Sequence, residues 1–372
     1  MHPRYEVAHV LQQLGNEVNH LGLNNWQLRA LSAIKRCRTA ALGGHIDACT
    51  DCGSMLLSYN SCRNRHCPKC QGHKREQWMQ ARRQELLPVP YFHVVYTLPE
   101  QLNTLALQRP KPVYDALFTA AWQTLVTCGK QQGLQMGMIA ILHTWGQNVR
   151  LHPHLHCVVP GGGVRSDGTW QAVRNDGKFL FHVKALAKIF RAKYVAALRG
   201  AGIADQQLFD ALFAKPWVVY AKKPFGGPEQ VIEYLGRYTH KIAISNHRLE
   251  KLDDQYVQFQ YKDYRQQGQK KSMCLTPTEF IRRFALHILP KRFVRIRHYG
   301  FLSSTAKAKN LEQIRNQLQT IRQPVSASTK SLHRRCPCCK KGTLVIRESF
   351  DGRGPPAWAL GGVKTYGFYA AC

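Results

Sequence analysis

Val7, Leu11, Leu14, Val18 and Leu21 recur at the three- and four-residue steps of an amphipathic helix, and Asn24 or Asn25 can start a second one. A charged stretch from Lys74 to Leu87 has helical composition and stops at Pro88, which with Pro90 marks a boundary. Beyond it the pattern changes to alternating strand and helix. Tyr91–Pro99 is β-rich, Val113–Cys128 predicts an amphipathic helix, and Met138–Trp145 and Val149–Pro160 predict two strands. Only Gly146, Gln147 and Asn148 separate that last pair, so the turn predicts an antiparallel hairpin. Val183–Arg199 predicts another helix, Trp217–Tyr220 a strand, Pro228–His240 a helix opened by proline and Tyr256–Tyr261 a further strand. A strongly basic helical region follows from Glu279, and residues 323–335, rich in Ser, Thr, Pro and Arg, predict a linker to a loosely ordered tail. The expected fold class is α+β with a mainly antiparallel sheet. The expected divisions are a helical and cysteine-rich region over 1–88, the α+β region over 89–322, and the linker and tail over 323–372.

Composition adds a partner. The chain has 372 residues, with 53 Lys and Arg against 22 Asp and Glu, a formal charge of +31 that points to a polyanion. The first residues carry no secretory apolar run, and no stretch reaches the ~18 uninterrupted apolar residues of a membrane span. A cytoplasmic, nucleoid-associated protein is the expectation.

In a reducing compartment clustered cysteine means metal more often than disulfide. Cys49-Thr-Asp-Cys52 and Cys67-Pro-Lys-Cys70 are two Cys-x-x-Cys pairs, spaced so that two knuckles can close on one tetrahedral zinc. Cys37, His45, Cys62 and His66 remain in the same segment, enough for a second zinc, unless Cys37 is a core residue and the histidines are ordinary. Arg63, Arg65, Lys69, Lys74 and Arg75 run among these ligands at a density suited to phosphates. Cys128, Cys157 and Cys274 are isolated and read as small core residues. Cys336-Pro-Cys-Cys339 repeats the half-site with only Cys372 downstream, which predicts a free or partly formed knuckle rather than a third zinc.

His154 and His156 stand one residue apart on a predicted strand, so both project from one face and can share a divalent metal, Mg²⁺ or Mn²⁺. The hairpin partner offers Gln147 as third ligand, with His143 and His152 in reserve. In Val231–Lys241, Tyr234 and Tyr238 stand at i and i+4 of the predicted helix, with Lys241 on the same face. Such a stripe also suits core packing. Beside a metal, however, a tyrosine can attack a phosphodiester, leaving a 5′-phosphotyrosine and a free 3′-hydroxyl, and Lys241 can hold a non-bridging oxygen. No Walker-type glycine loop is visible. Phe280–Tyr299 interleaves aromatics with Arg282, Arg283, Arg295 and Arg297, which suits stacking on bases beside phosphates or, equally, a core helix with a cationic outer face.

The His-hydrophobic-His strand, the upstream Phe92–Pro99 strand and the Tyr-x-x-x-Tyr helix resemble HUH endonucleases. Cys37–His45, Tyr59–Cys70 and His152–Gly162 are similar to signatures of two-tyrosine rolling-circle transposases of the insertion-sequence-ninety-one family, the resemblance running from about Cys37 to Phe301. It implies an HUH-endonuclease-like antiparallel sheet flanked by helices, an N-terminal zinc-binding domain that helps bind element ends, and single-strand transposition by two tyrosines acting in turn. The implied partners are single-stranded and hairpin-containing element ends, target DNA and, since no helicase-like segment is visible, a host helicase. A replication initiator or relaxase of the same chemistry and a non-catalytic zinc DNA-binding protein are the alternatives.

Overall fold

A computed structural model describes the chain except residues 1–2, 71–77, 84, 175–178, 222–224, 226–229, 232–233, 235, 237–241, 320–333, 361–363 and 366–372, and gives only the backbone of Arg265, Leu360, Lys364 and Thr365. Lys74, Arg75, Tyr238, Lys241 and Cys372 lie outside the described residues. Two compact units emerge, and they divide the chain differently from the three expected stretches. One gathers Met1–Glu76, Ile244–Ile288 and Pro324–Cys372; the other holds Gln77–Ala243 and Leu289–Gln323. No helix among the described residues is long and apolar enough to cross a membrane.

The first unit opens with α1 (Val7–Leu14) and α2 (Asn25–Lys35). Asn24 caps α2 by accepting from the Gln27 amide while the Gln27 side chain accepts from the Asn24 amide, a reciprocal box that stops helix and linker from merging. Then come β1 (Gly44–Cys49) and β2 (Met55–Tyr59), an antiparallel hairpin.

The second unit supplies β3 (Tyr91–Thr97), α3 (Asn103–Gln108), α4 (Pro110–Lys130), β4 (Gly137–Trp145), β5 (Leu151–Pro160), the small hairpin β6 (Gly162–Val164) and β7 (Trp170–Ala172), α5 (Val183–Gly200), α6 (Gln206–Ala214) and β8 (Val219–Ala221). The first unit resumes with β9 (Leu249–Leu252), β10 (Val257–Asp263), β11 (Gln269–Leu275) and α7 (Pro277–Ala285), and the second is completed by β12 (Ile296–Gly300) and α8 (Lys307–Gln317). The expected basic helix beyond Glu279 is therefore the nine-residue α7, and the stretch holding Arg297 is a strand. Described residues of the expected loose tail also form regular elements. β13 (Arg334–Arg335), β14 (Thr343–Phe350), α9 (Ala357–Leu360) and β15 (Lys364–Thr365) follow, and the first unit's larger sheet runs β13-β14-β1-β2-β15.

The second unit's sheet runs β12-β4-β5-β3-β8, antiparallel throughout. Its strands alternate with period two, and the two faces have different tasks. Phe92, Val94 and Tyr96 of β3, Met138, Ala140 and Leu142 of β4, and Leu155, Cys157 and Val159 of β5 join Leu117, Phe118 and Ala121 of α4 and Phe190 and Tyr194 of α5 in one buried cluster. The opposite face carries Tyr91, Ile141 and Val158 in a smaller cluster with Val231, and the histidines described next. The architecture is thus mixed helix and antiparallel sheet.

Candidate functional site

Cross-strand register brings four histidines to that second face. His143 of β4 lies opposite His154 of β5, Ile141 opposite His156, and His93 of β3 opposite Val158, so all four side chains emerge on one side. The ligand atoms of His143, His154 and His156 lie within 4.8 Å of one another. His154 Nε2 and His156 Nε2 face each other at 3.1 Å, and each ring is anchored at its far nitrogen. His154 Nδ1 donates to the His152 carbonyl at 2.6 Å, and His156 Nδ1 is hydrogen-bonded to His93 Nε2 at 2.9 Å. Rings tied at Nδ1 with Nε2 converging are oriented as metal-binding imidazoles are by their supporting hydrogen bonds, so the residues fit a divalent cation. Trp145 stacks on His143 with ring centroids 4.6 Å apart, walling one side. Burial holds the His152 imidazole below its ordinary value.

The third imidazole is therefore His143, with Gln147 in the turn beyond the end of β4. The reason is the turn. The Gly146 amide donates to the Arg150 carbonyl, so β5 begins at Leu151 rather than Val149, and the register puts His143 opposite His154.

Tyr234 reaches the same cluster. Its hydroxyl lies 2.8 Å from both ring nitrogens of His93, and the rings tilt at 55° with centroids 4.5 Å apart. Residues 230, 231, 234 and 236 are helical. At Gly236 an added Cβ would meet the Met79 sulfur at 2.2 Å, so the missing side chain lets this helix approach its neighbour closely. Phe225, whose amide donates to the Tyr91 carbonyl, backs the Tyr234 ring at 5.0 Å. His93 was not singled out from sequence. The available signal was one imidazole inside an otherwise apolar and aromatic strand, where it is 5% exposed.

The cysteines form two sets, regrouped relative to the sequence expectation. Cys37 and Cys62 converge with Cys67 and Cys70, whereas Cys49 and Cys52 converge with Cys336 and Cys339. The β1–β2 hairpin explains the split. Cys49 sits at its turn end and Cys37 and Cys62 flank its open end, where Arg38 N donates to the Asn60 carbonyl, so one strand length, on the order of 15 Å at ~3.3 Å per residue, separates the knuckles. In the first set Cys70 Sγ lies 3.5 Å from Cys37 Sγ and 3.6 Å from Cys62 Sγ. Thiol hydrogen bonds, from Cys62 onto Cys37 and from Cys37 onto Cys70, hold both below the ordinary thiol range. Neither histidine of the expected second set joins either cysteine set among the described residues. His45 lies between Asp47 and Arg334, and buried His66 takes a hydrogen bond from Arg65 Nε. Cys274 is exposed rather than core, while Cys128 and Cys157 are buried.

Several expected phosphate-binding cations have internal partners. Lys69 pairs with Glu6 at 2.6 Å, Arg282 and Arg283 both pair with Glu279 at 2.7 Å, and Arg297 pairs with Asp115 while lying 4.1 Å over the Phe118 ring. Arg297 is thus built into its unit as a structural cation. Burial lowers the Arg65 guanidinium. Arg63, with its backbone left-handed at φ 51°, sits between Cys62 and Cys67.

Known families match two stretches of this chain. A family described as "Putative transposase" matches residues 137–310, and a family described as "Transposase zinc-binding domain" matches residues 10–98. The "Putative transposase y4qJ" of Sinorhizobium fredii is 43% identical over 94% of this chain and 97% of its own. The transposase for insertion sequence element IS801 of Pseudomonas savastanoi pv. phaseolicola is 27% identical over 79% of this chain and 74% of its own. Among solved structures, the conjugative relaxase TrwC in complex with oriT DNA, metal-bound, overlaps 63% of this chain and 74% of that one at 14% identity and a TM-score of 0.25. With a relative this similar along nearly its whole length, the chain belongs to the rolling-circle transposases of the insertion-sequence-ninety-one family, DNA strand-transfer enzymes with an N-terminal zinc-binding domain.

Proposed function

We propose that this transposase nicks and rejoins single-stranded DNA through a 5′-phosphotyrosine, with Tyr234 as a nucleophile and His143, His154 and His156 as ligands of a catalytic Mg²⁺ or Mn²⁺. The observation that carries the reading is the hydrogen-bonded line from the Tyr234 hydroxyl through His93 to His156. A divalent cation held by the three imidazoles supplies Lewis-acid polarisation of the scissile phosphate.

The remaining chemistry belongs to the side chains. For His156 to offer Nε2 as a ligand, its proton must sit on Nδ1 and be donated to His93 Nε2. His93 then carries its own proton on Nδ1, and the Tyr234 oxygen stands 2.8 Å from both of its ring nitrogens, which holds the hydroxyl beside the imidazole cluster. Phenol ionises near pH ~10, and the phenolate is the attacking species. As the Tyr234 oxygen bonds to phosphorus, the bond from phosphorus to the 3′ oxygen breaks, and that oxygen leaves with a proton as a hydroxyl. The phosphotyrosine keeps the phosphoester energy, so another 3′-hydroxyl reverses the step without a nucleotide cofactor. Tyr238, one helical turn on by sequence, would serve the second strand, and Lys241, about two turns on, a non-bridging oxygen.

Cys37, Cys62, Cys67 and Cys70 hold the structural zinc of the zinc-binding domain in this reading, with Arg63, Arg65, Lys74, Arg75 and Arg295 contacting phosphates of hairpin-containing element ends. Target DNA and a host helicase complete the cytoplasmic reaction. The test is incubation with end-labelled single-stranded element DNA and Mn²⁺, followed by a denaturing gel. The expected outcome is a protein-linked label that requires metal and disappears in Tyr234→Phe/Tyr238→Phe. DNA binding with no adduct in the unaltered protein would favour a non-catalytic zinc protein.

A further inference from the structure

The Cys336–Cys339 knuckle lies outside both matched stretches, 10–98 and 137–310. Its thiols meet those of Cys49 and Cys52 across most of the chain. Cys49 Sγ is 3.7 Å from Cys339 Sγ, and Cys52 Sγ is 3.7 Å from Cys336 Sγ, the latter pair 284 residues apart. A tetrahedron of sulfurs ~2.3 Å from a central zinc has edges of about 3.8 Å, whereas a disulfide would bring two sulfurs to about 2.05 Å. The spacing is that of metal ligands.

The two knuckles are built alike. The Gly53 amide donates to the Cys49 carbonyl at 3.2 Å and the Lys340 amide to the Cys336 carbonyl at 2.9 Å. The residue after each second cysteine is left-handed, Gly53 at φ 68° and Lys340 at φ 59°. Backbone amides also point at sulfur, Cys52 N to Cys49 Sγ at 3.5 Å and Gly342 N to Cys339 Sγ at 3.3 Å. At Gly342 an added Cβ would lie 2.5 Å from Cys49 Sγ and 2.8 Å from Asp51 Cγ, so that position is kept bare for the thiol. Cys338 is exposed and outside the set.

The surroundings explain what such a site would accomplish. β14 is hydrogen-bonded along β1 with Leu344 opposite Cys49, and Arg334 reaches the fully buried Asp47 at 2.7 Å. Yet β14 buries little apolar surface, with Val345 46% and Ile346 61% exposed. A segment with so small a core needs another fastening. We infer that Cys49, Cys52, Cys336 and Cys339 bind a second structural zinc ion, which clips the C-terminal segment onto the β1–β2 hairpin of the zinc-binding domain.

Zinc per chain is measured by inductively coupled plasma mass spectrometry on full-length protein carrying His154→Ala and His156→Ala, so that the imidazole site contributes nothing. Two zinc ions are expected, falling to one when Cys336→Ser and Cys339→Ser are added and staying at two with Cys338→Ser. Hydrogen exchange should show amides 343–350 losing protection in the Cys336→Ser/Cys339→Ser protein while 137–160 keep theirs. With the Cys37 set read as a zinc site under the proposed function, loss of zinc from Cys336→Ser/Cys339→Ser distinguishes the two; zinc content unchanged by both serine substitutions, whether one ion or two in the parent, would overturn the inference. Should the serine protein fail to fold, zinc X-ray absorption of the parent decides: four sulfur neighbours per zinc are expected, and two ions with an averaged nitrogen contribution would refute the all-thiolate site.

Discussion

The two faces of the sheet formed by β3, β4 and β5 share one backbone and one register but opposite chemistry. Toward α4 and α5, Leu155, Cys157, Val159, Leu142 and Tyr96 are at most 1% exposed in a continuous apolar core. Toward Tyr234, one residue along on each strand, stand His154, His156, His143 and His93. Buried imidazoles are tolerable only when their nitrogens are bonded, and His93 and His156 bond each other while His154 bonds the His152 carbonyl. Hydrophobic burial on one face fixes strand positions closely enough that the other can hold polar groups at ligand distance.

The contrast can be broken from either side. The largest effect is expected from His154→Ala with His156→Ala, which should leave the fold intact by circular dichroism and abolish metal-dependent cleavage; retained cleavage would remove the metal from the imidazole face. On the opposite face, Leu155→Ala should lower the unfolding free energy in urea by about 2–5 kcal/mol while the folded fraction still forms adduct. His93→Ala should reduce adduct formation roughly 10–100-fold, the usual effect of losing a group that supports a metal ligand, and should weaken Mn²⁺ binding measured by calorimetry. The smallest effect concerns His298 on β12. Burial, with Arg82 and Lys307 nearby, lowers this histidine to about 4 from the ordinary 6.5. The unfolded chain then takes up the proton first as pH falls, so stability is constant above ~6.5 and declines toward 4. Replacing His298 by Gln should remove on the order of 1 kcal/mol of the loss between pH 7 and pH 5 in urea titrations at each pH.

Much of this was legible in sequence where the determinants are local. The β4–β5 hairpin followed from alternation and a short turn, and the shared face of His154 and His156 from strand period. α4 and α5 followed from helical spacing. What escaped depends on pairing between distant segments. His93 joins the site only because β3 lies along β5, more than sixty residues away. His143 rather than Gln147 faces His154 because the turn consumes Arg150 before β5 begins. Proximity in the chain groups the cysteines into one N-terminal set, whereas the β1–β2 hairpin carries one knuckle to its far end, where β14 brings in Cys336 and Cys339. Charge was the weakest guide, since a guanidinium committed to Asp115 and two aromatic rings, as in Arg297, has the same letter as one committed to phosphate.

Arg237 separates the two tyrosines, so trypsin releases Tyr234 in a peptide ending at Arg237 and Tyr238 in the next one. Mass spectrometry of the trypsin-digested, nuclease-trimmed adduct therefore identifies the attacking hydroxyl. A nucleotide remnant is expected on Tyr234, the hydroxyl that stands beside His93. A remnant found only on other peptides, with Tyr234 always unmodified, would contradict it.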